Sequence, residues 1–357
     1  MQIQSWQMTA PDTAMEVVVR DLDRTALQGD QALVEVAGCG VCHTDLGFLY
    51  DGVRTRHALP LTLGHEIAGR VIAAGPDSQR LIGRAVVVPA VIPCGDCEPC
   101  KAGRGAVCGN QFFPGNDDHG GFASHVVVPG RGLCPVDEDR LDIAGIALAS
   151  LSVVADAVTT PYQAILNADL KKGDVAIFIG VGGVGNFGVQ IARHMGCHVV
   201  AIDTDPARLS AVEGHGAGLC IESSDDLRGI KKQVRAWVKE GGLPKSGWKI
   251  FETSGHPKGQ ELAFSLLGYD AHLAIVGYTR DKVAVRLSNL MAFDATMRGT
   301  WGCLPEHYPA VVELVLSGAI DLSDFIETRP MSRINETFDE LHRHALKRRP
   351  VLIPDFG

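Results

Sequence analysis

Two periodicities divide the chain. From residue 14 to 36, Met15 to Val19 and Ala32 to Val36 read as short strands joined by the polar, Gly-containing stretch Asp21 to Asp30, which predicts the start of an all-β barrel. Gly120 to Pro129 reads as a further strand returning to that barrel. Past Thr159 the pattern changes. Thr159 to Ala164 opens a helix, and apolar runs (Val175 to Ile179, Val199 to Ile202, Leu219 to Ile221, Trp248 to Glu252, His272 to Gly277) then alternate with helical segments. Those helices are Asn186 to His194, Ala207 to Glu213, Leu227 to Lys239 and Gly259 to Leu267, and repeated βα units predict a doubly wound parallel sheet. Lys231, Lys232 and Arg235 are expected on a solvated helix face. From Gly299 the chain offers the helices Tyr308 to Ser317 and Ile334 to His344 with short terminal strands.

A length of 357 residues favours two domains, and 46 % apolar content supplies two cores. The net charge of -9 gives no basic surface for a nucleic acid backbone, so no nucleic acid partner is expected. No apolar run approaches the roughly 18 residues of a membrane span. The opening Met1 to Trp6 lacks the charged region and apolar core of a signal peptide, and a cytoplasmic location is expected. Four of the ten cysteines crowd between Cys94 and Cys108, so reduced thiols are a better reading than disulfides. Cys39, Cys134, Cys197, Cys220 and Cys303 are expected to be buried and inert.

The chemistry gathers around Asp174 to Asp203. There a buried strand runs into Gly180-Val181-Gly182-Gly183-Val184-Gly185, a helix follows, and the next strand stops at Asp203. Glycines let the backbone approach a phosphate, the helix N-terminus attracts the pyrophosphate, and Asp203 stands where an acid accepts hydrogen bonds from the adenosine ribose. A carboxylate repels a 2′-phosphate, and Thr204 and Asp205 follow it rather than an Arg, which favours NAD over NADP. The alternative is a glycine-rich turn without a ligand.

Metal chemistry has two candidates. Cys94, Cys97, Cys100 and Cys108, interleaved with Gly and Pro, suit one tetrahedral ion with no open position, hence a structural zinc; an iron–sulfur cluster or disulfides are the alternatives. Cys42 before a short helix and His65-Glu66 some twenty residues on supply a thiolate, an imidazole and a carboxylate. Taken alone, such a Cys is usually a small core residue and such a His usually structural. Asp156, inside the apolar Val153 to Val158, is either a helix N-cap or an exposed acid on a loop, or a carboxylate that asks for a cation.

Taken together, Gly40 to Asp45, Gly64-His65-Glu66, the four-Cys lobe, Asp156-Ala157 with Thr160-Pro161-Tyr162, and the Gly180 to Asp203 unit resemble the zinc-containing medium-chain alcohol dehydrogenases over essentially the whole chain. The resemblance implies a Rossmann sheet inserted into a GroES-like β-barrel catalytic domain. It places the catalytic domain at 1–157 with a structural zinc lobe at about 93–110, an NAD-binding domain at 158–298, and a return to the catalytic domain at 299–357.

Carried over by position, it implies Cys42, His65 and Asp156 as ligands of a catalytic zinc, with Glu66 able to approach the ion. Asp45 would orient the His ligand and Thr44 would hydrogen-bond the substrate oxygen. His43, Thr160, Gly180, Gly182, Gly183, Val184, Gly185, Asp203 and Arg208 would bind NAD. Where many relatives complete a proton relay with His, this chain has Gly47.

The implied partners are a small-molecule substrate and further copies of the chain, as a homodimer or homotetramer. Ser152 to Gln163, Leu290 to Asp294 and Gly299 to Glu306 are similar to members that oxidise the ring hydroxyl of a cyclic acyl-CoA, 6-hydroxycyclohex-1-ene-1-carbonyl-CoA, in anaerobic benzoyl-CoA degradation. Arg54, Arg56 and His57, or Arg280, Lys282, Arg286 and Arg298, would then meet the CoA phosphates. A free primary, secondary or aromatic alcohol is the alternative substrate, and a dinucleotide-binding relative without turnover is the alternative class.

Overall fold

A computed structural model describes residues 1–356. The chain forms two compact units, Met1–Thr159 with Gly302 onward, and Thr160–Trp301. The first begins with an antiparallel pair, β1 (Gln2–Gln7) and β2 (Glu16–Asp21). β3 (Gln31–Gly40) leads directly to the short helix α1 (His43–Leu49), and β4 (Glu66–Ala74) and β5 (Ala85–Val88) follow. A small lobe holds α2 (Glu98–Lys101) and is closed at its base by a bridge between Ile92 and Phe112. The chain continues through β6 (His125–Pro129), β7 (Cys134–Pro135), α3 (Glu138–Ala144) and a 3₁₀ helix, Leu148–Ala155.

The return strand is shorter than the sequence suggests. Gly120 to Phe122 instead donate backbone hydrogen bonds to the carbonyls of Thr62, Gly64 and Leu63, and so line the loop that carries His65. Glycines at 120 and 121 let the two backbones meet closely there, which a strand pattern read from side chains does not anticipate.

The second unit starts at α4 (Thr159–Asn167). It then alternates β8 (Val175–Ile179), α5 (Gly185–His194), β9 (His198–Asp203), α6 (Pro206–Gly214), β10 (Leu219–Glu222), α7 (Leu227–Glu240), β11 (Lys249–Glu252), α8 (Pro257–Ser265), β12 (His272–Ile275), α9 (Ser288–Phe293) and β13 (Thr296–Gly299). All pairings are parallel, in the order β10-β9-β8-β11-β12-β13. The central β8 is buried at every position, as a strand covered on both faces must be. Helix α7 buries Ile230, Val234 and Val238, one stripe at a spacing of four, against that sheet. Lys232 and Arg235 are solvated, but Lys231 is not: it is half-buried, and its Nζ donates to the carbonyls of Ser265 and Leu267 at the end of α8. Its long stem follows the apolar stripe while its ammonium caps a neighbouring helix, a partner no helical wheel reveals.

After Gly302 the chain rejoins the first unit with α10 (Tyr308–Leu316), β14 (Ile326–Pro330), α11 (Ile334–His342) and β15 (Arg349–Ile353). The seven-stranded sheet runs β14-β15-β3-β4-β5-β7, with β6 also on β3. Its core includes Phe122 packed edge-on against Phe338 of α11. Cys39, Cys134, Cys197 and Cys303 are buried, whereas Cys220 is only half-buried on the outermost strand, β10. Among the described residues no single helix is long and apolar enough to cross a membrane.

Candidate metal and cofactor sites

Asp45 organises the first site. It lies in the opening turn of α1, fully buried, where its Oδ2 accepts the backbone N–H of Cys42 at 3.0 Å, closing the turn on its own N-cap. Its Oδ1 accepts the N–H of Gly64 at 3.1 Å and stands 3.4 Å from His65 Nδ1. One carboxylate thus fixes both the thiol at the head of α1 and the imidazole just before β4. Gly64 sits at φ +95°, and a Cβ there would lie 2.8 Å from Cys39 Sγ, so the turn that presents His65 requires glycine.

With Nδ1 facing Asp45, His65 turns Nε2 toward Asp156, 3.6 Å from Oδ2, and the same Oδ2 is 3.6 Å from Cys42 Sγ. Asp156 follows the 3₁₀ helix, outside helical geometry at φ −142° and ψ −58°, with its side chain 19 % exposed. It closes the 3₁₀ helix rather than opening α4, so it is no helix N-cap, and its side chain is mostly buried. Ligands about 2.0–2.3 Å from one tetrahedral zinc stand roughly 3.3–3.8 Å from each other, so the spacings fit. Burial pushes the His65 imidazole down, but Asp45, Asp156 and Cys42 together hold its pKa well above the ordinary value. Phe113 closes one side, its ring 5.0 Å from that of His65. Thr44 is half-buried, its Oγ1 3.8 Å from Cys42 Sγ; His43 is exposed beside it, its ring 6.2 Å from that of His344.

Glu66 lies behind this trio and pairs with a residue the sequence reading missed. Arg349, at the start of β15, donates through Nε to Oε2 at 2.8 Å and through a terminal nitrogen to Oε1, with both groups buried. Burial lifts the Glu66 carboxyl to about 7, with Arg349 pulling it down against that lift and Asp156 adding to it. The available signal was a cation opening the fully apolar run Pro350 to Leu352, where a charge must find a partner.

The lobe brings four sulfurs together. Cys97 is 3.4 Å from Cys100 and 3.5 Å from Cys108, and Cys94 is 3.5 Å from Cys108 and 3.9 Å from Cys100. These spacings are too long for disulfides and match the roughly 3.8 Å edge of a ZnS₄ tetrahedron. A cluster whose irons each take a separate thiolate needs a wider frame. The backbone N–H groups of Asp96 and Cys97 pull the Cys94 thiol down to about 6, favouring the thiolate that a metal binds. His57, Asp118 and His119 also lie close together. However, His119 Nδ1 accepts the Thr62 N–H, so a neutral His119 carries its hydrogen on Nε2 and has no lone pair there for a metal.

In the second unit, β8 runs into the Gly180 loop and then α5. A Cβ on Gly185 would lie 1.9 Å from the Gly180 carbonyl, so only glycine lets the helix start against the strand end and turn its free N–H groups to an anion. Asp203, at the end of β9, accepts the Val181 N–H at 2.7 Å through Oδ2 and the Asp205 N–H at 3.0 Å through Oδ1. The carboxylate is therefore rigidly aimed beside the glycine loop. Arg208 in α6 stands 3.7 Å from both Asp203 and Asp205, and the Cβ of a residue at 182 would meet its guanidinium at 3.6 Å. Gly182, Gly183 and Val184 form the rest of the loop, and Thr160 is buried in the first turn of α4. Glu252, at the end of β11, was not anticipated: it is buried and accepts the N–H groups of Ser254 and Gly255, fixing the loop next to the fingerprint.

Comparison with known sequences and structures agrees with this geometry. Residues 28–138 match the alcohol dehydrogenase GroES-like domain, and residues 183–317 match the zinc-binding dehydrogenase family. An alcohol dehydrogenase of Geobacillus stearothermophilus is 25 % identical over 94 % of this chain and 94 % of its own length. One from Rhizobium meliloti is 28 % identical over 90 % and 91 %. The crystal structure of the Aeropyrum pernix alcohol dehydrogenase superposes with a TM-score of 0.84 at 26 % identity, covering 98 % of this chain and all of that one. The chain belongs to the zinc-type medium-chain alcohol dehydrogenase family. It is an enzyme that oxidises CH–OH groups, with NAD and zinc as its cofactors.

Two outcomes follow from the geometry. Replacing Arg349 by Met strands a buried carboxylate, and chemical denaturation should show a loss of about 3–5 kcal/mol; a change below about 1 kcal/mol would mean Glu66 finds another partner. Replacing Cys97 by Ser should remove one zinc per chain by elemental analysis and lower the melting temperature by roughly 5–10 °C, because the binding energy of a structural ion is folding energy. Retention of that ion would refute the four-sulfur assignment.

Proposed function

We propose that this enzyme oxidises a free primary, secondary or aromatic alcohol, with Cys42, His65 and Asp156 holding the catalytic zinc and Cys94, Cys97, Cys100 and Cys108 holding a structural one. The observation that carries the reading is the meeting of Cys42 and His65 on Asp156, each 3.6 Å from its Oδ2, with a hydroxyl, Thr44, beside Cys42. Zinc there supplies a Lewis acid that brings the pKa of a substrate hydroxyl toward neutrality, and NAD supplies the hydride acceptor.

The chain's own residues set the conditions. A thiolate and a carboxylate bring two negative charges and His65 none, so the centre is electrically balanced around a dication. Asp45 holds His65 in the tautomer that offers Nε2. Thr44 Oγ1 would relay the proton leaving the substrate hydroxyl, taking it up while its own hydrogen passes outward to a further acceptor. Gly47, three residues on, has no side chain to take that proton further. Arg349 neutralises Glu66, so this third carboxylate adds no net charge to the centre.

In the second unit, Gly180 to Gly185 and the α5 N-terminus receive the pyrophosphate, with Asp203 on the adenosine ribose. Arg208 and Thr160 of the same unit complete this part of the NAD-binding set. An Asp203→Gly variant should bind NADH at least tenfold more weakly, as expected for losing a hydrogen bond to a charged group, and should discriminate less against NADPH. Unchanged selectivity in dye-free fluorescence titration would move the ribose reader elsewhere.

We also propose a homodimer or homotetramer. Every residue of the edge strand β13 is exposed, beside exposed Leu287, Met291 and Trp301 on the same unit, a strand edge suited to a second copy. A monomeric mass by light scattering would reject this.

The narrower acyl-CoA reading rests on the stretches Ser152 to Gln163, Leu290 to Asp294 and Gly299 to Glu306. Its cations are uneven support: Arg54 is exposed, but Arg56 is engaged by Asp117 at 3.5 Å, while Arg280, Lys282, Arg286 and Arg298 are exposed. The free-alcohol reading has the better support, because relatives matching nearly end to end are named alcohol dehydrogenases. NAD reduction at matched concentrations of benzyl alcohol, cyclohexanol, 6-hydroxycyclohex-1-ene-1-carbonyl-CoA and its free acid separates the two. Turnover of the simple alcohols without gain from CoA is expected; turnover confined to the thioester would overturn it.

A further inference from the structure

Asp156 has no helix or strand of its own to hold it. It is the first residue after a 3₁₀ helix and lies three positions before α4, so whatever fixes its carboxylate must reach it from elsewhere in the fold. The peptide that carries it is held by Tyr308, the first residue of α10. The Tyr308 side chain is completely buried, and its hydroxyl donates to the carbonyl of Ala155, the residue directly before Asp156. The backbone N–H of Ala90 is shared, 3.3 Å from this oxygen and 3.3 Å from the Ala155 carbonyl, and the hydroxyl lies 3.5 Å from Thr159 Oγ1. Thr159 Oγ1 is in turn 3.5 Å from the carbonyl of Asp156. One phenol therefore gathers the backbone before Asp156, the end of the strand region at Ala90, and the hydroxyl that touches Asp156 itself.

The anchor is rigid. α10 packs against the 3₁₀ helix and against α3, and Glu313 of α10 pairs with Arg140 of α3 through both guanidinium nitrogens. Leu151 to Ala155 are wholly buried, so the peptide that Tyr308 grips cannot exchange this donor for water. Burial, with Cys303 adding to it, holds the phenol well above its ordinary pKa, which keeps it a donor. Without the phenol the Ala155 carbonyl keeps only the shared Ala90 N–H, 3.3 Å away, and the 155–156 peptide can shift toward that weaker donor. Such a shift moves the Asp156 carboxylate relative to Cys42 and His65, which Asp45 holds independently.

We propose that Tyr308 is a positioning residue for the catalytic metal, acting through the Ala155 carbonyl to set Asp156 against Cys42 and His65. The inference rests on the ligand assignment made above for Asp156. Removing the hydroxyl leaves the thiol and imidazole in place and loosens the carboxylate alone. The predicted signature is faster metal loss from this site, with the four-cysteine site unaffected.

The test is chelator-driven zinc release, followed with a colorimetric zinc indicator, from the full-length protein, the Tyr308→Phe variant and an Asp156→Ala control. In the parent, the site held by three protein ligands should empty in a fast phase and the four-cysteine lobe in a slow one. Tyr308→Phe should quicken the fast phase at least tenfold, as expected for removing a group that orients a ligand, and leave the slow phase and the melting temperature near those of the parent. Fast phases that coincide in the two proteins would overturn the proposal. If Tyr308→Phe does not fold, Thr159→Val decides: it removes the hydroxyl between Tyr308 and Asp156, and should quicken the fast phase where a parental rate overturns. Asp156→Ala separates the two claims. If it releases zinc like the parent, Asp156 is not a ligand and both fall; if its fast phase vanishes while Tyr308→Phe keeps the parental one, only the role of Tyr308 is wrong.

Discussion

The first unit is arranged around a concentration of largely buried negative charge. Cys42, Asp45, Glu66 and Asp156 converge on one region, and Asp45 and Glu66 are fully buried. Carboxylates gathered in this way repel one another strongly in a low-dielectric interior unless each has a compensating group. Asp45 takes backbone N–H groups and the imidazole of His65, and Glu66 takes both arms of Arg349. Asp156 and Cys42 are left facing His65. The field that lifts the His65 pKa is the same field that would bind a dication, so proton and metal compete for one position.

A division of labour follows. The candidate ligands come from three turns of the chain before residue 157, while two buried side chains that brace their surroundings, Tyr308 and Arg349, come after residue 301. Arg349 meets Glu66 from the first position of β15, and Tyr308 meets Ala155 from the first position of α10. Each sits where a helix or strand begins, so the regular element behind it supplies stiffness. The cofactor unit is built on the same plan: Asp203 at the end of β9 and Glu252 at the end of β11 both use carboxylate oxygens to freeze adjacent loops.

What could be read from the sequence was whatever is decided locally. Four cysteines within fifteen positions can close on one ion without help from the rest of the chain, and the glycine loop follows from the steric demands of a strand-to-helix turn. The alternation of buried runs and amphipathic helices gave away the parallel sheet for the same reason. Long-range choices were not readable. Asp156 looked equally like a cap, because only the folded chain brings it to His65, ninety-one positions away (156 − 65). Lys231 looked solvated because the carbonyls it caps belong to another helix. Arg349 and Tyr308 carried no motif, since their partners are 283 and 153 residues distant.

That distance also has a bearing on how the chain is made. Synthesis runs from the N-terminus, and domains generally fold as they emerge. The cysteine lobe has all its sulfurs by residue 108. Cys42, His65 and Asp156 are likewise delivered early, yet the braces at 308 and 349 arrive only after the whole dinucleotide unit has been translated. The four sulfurs of one set are thus complete in the chain about two hundred residues before the side chains that brace the surroundings of the other.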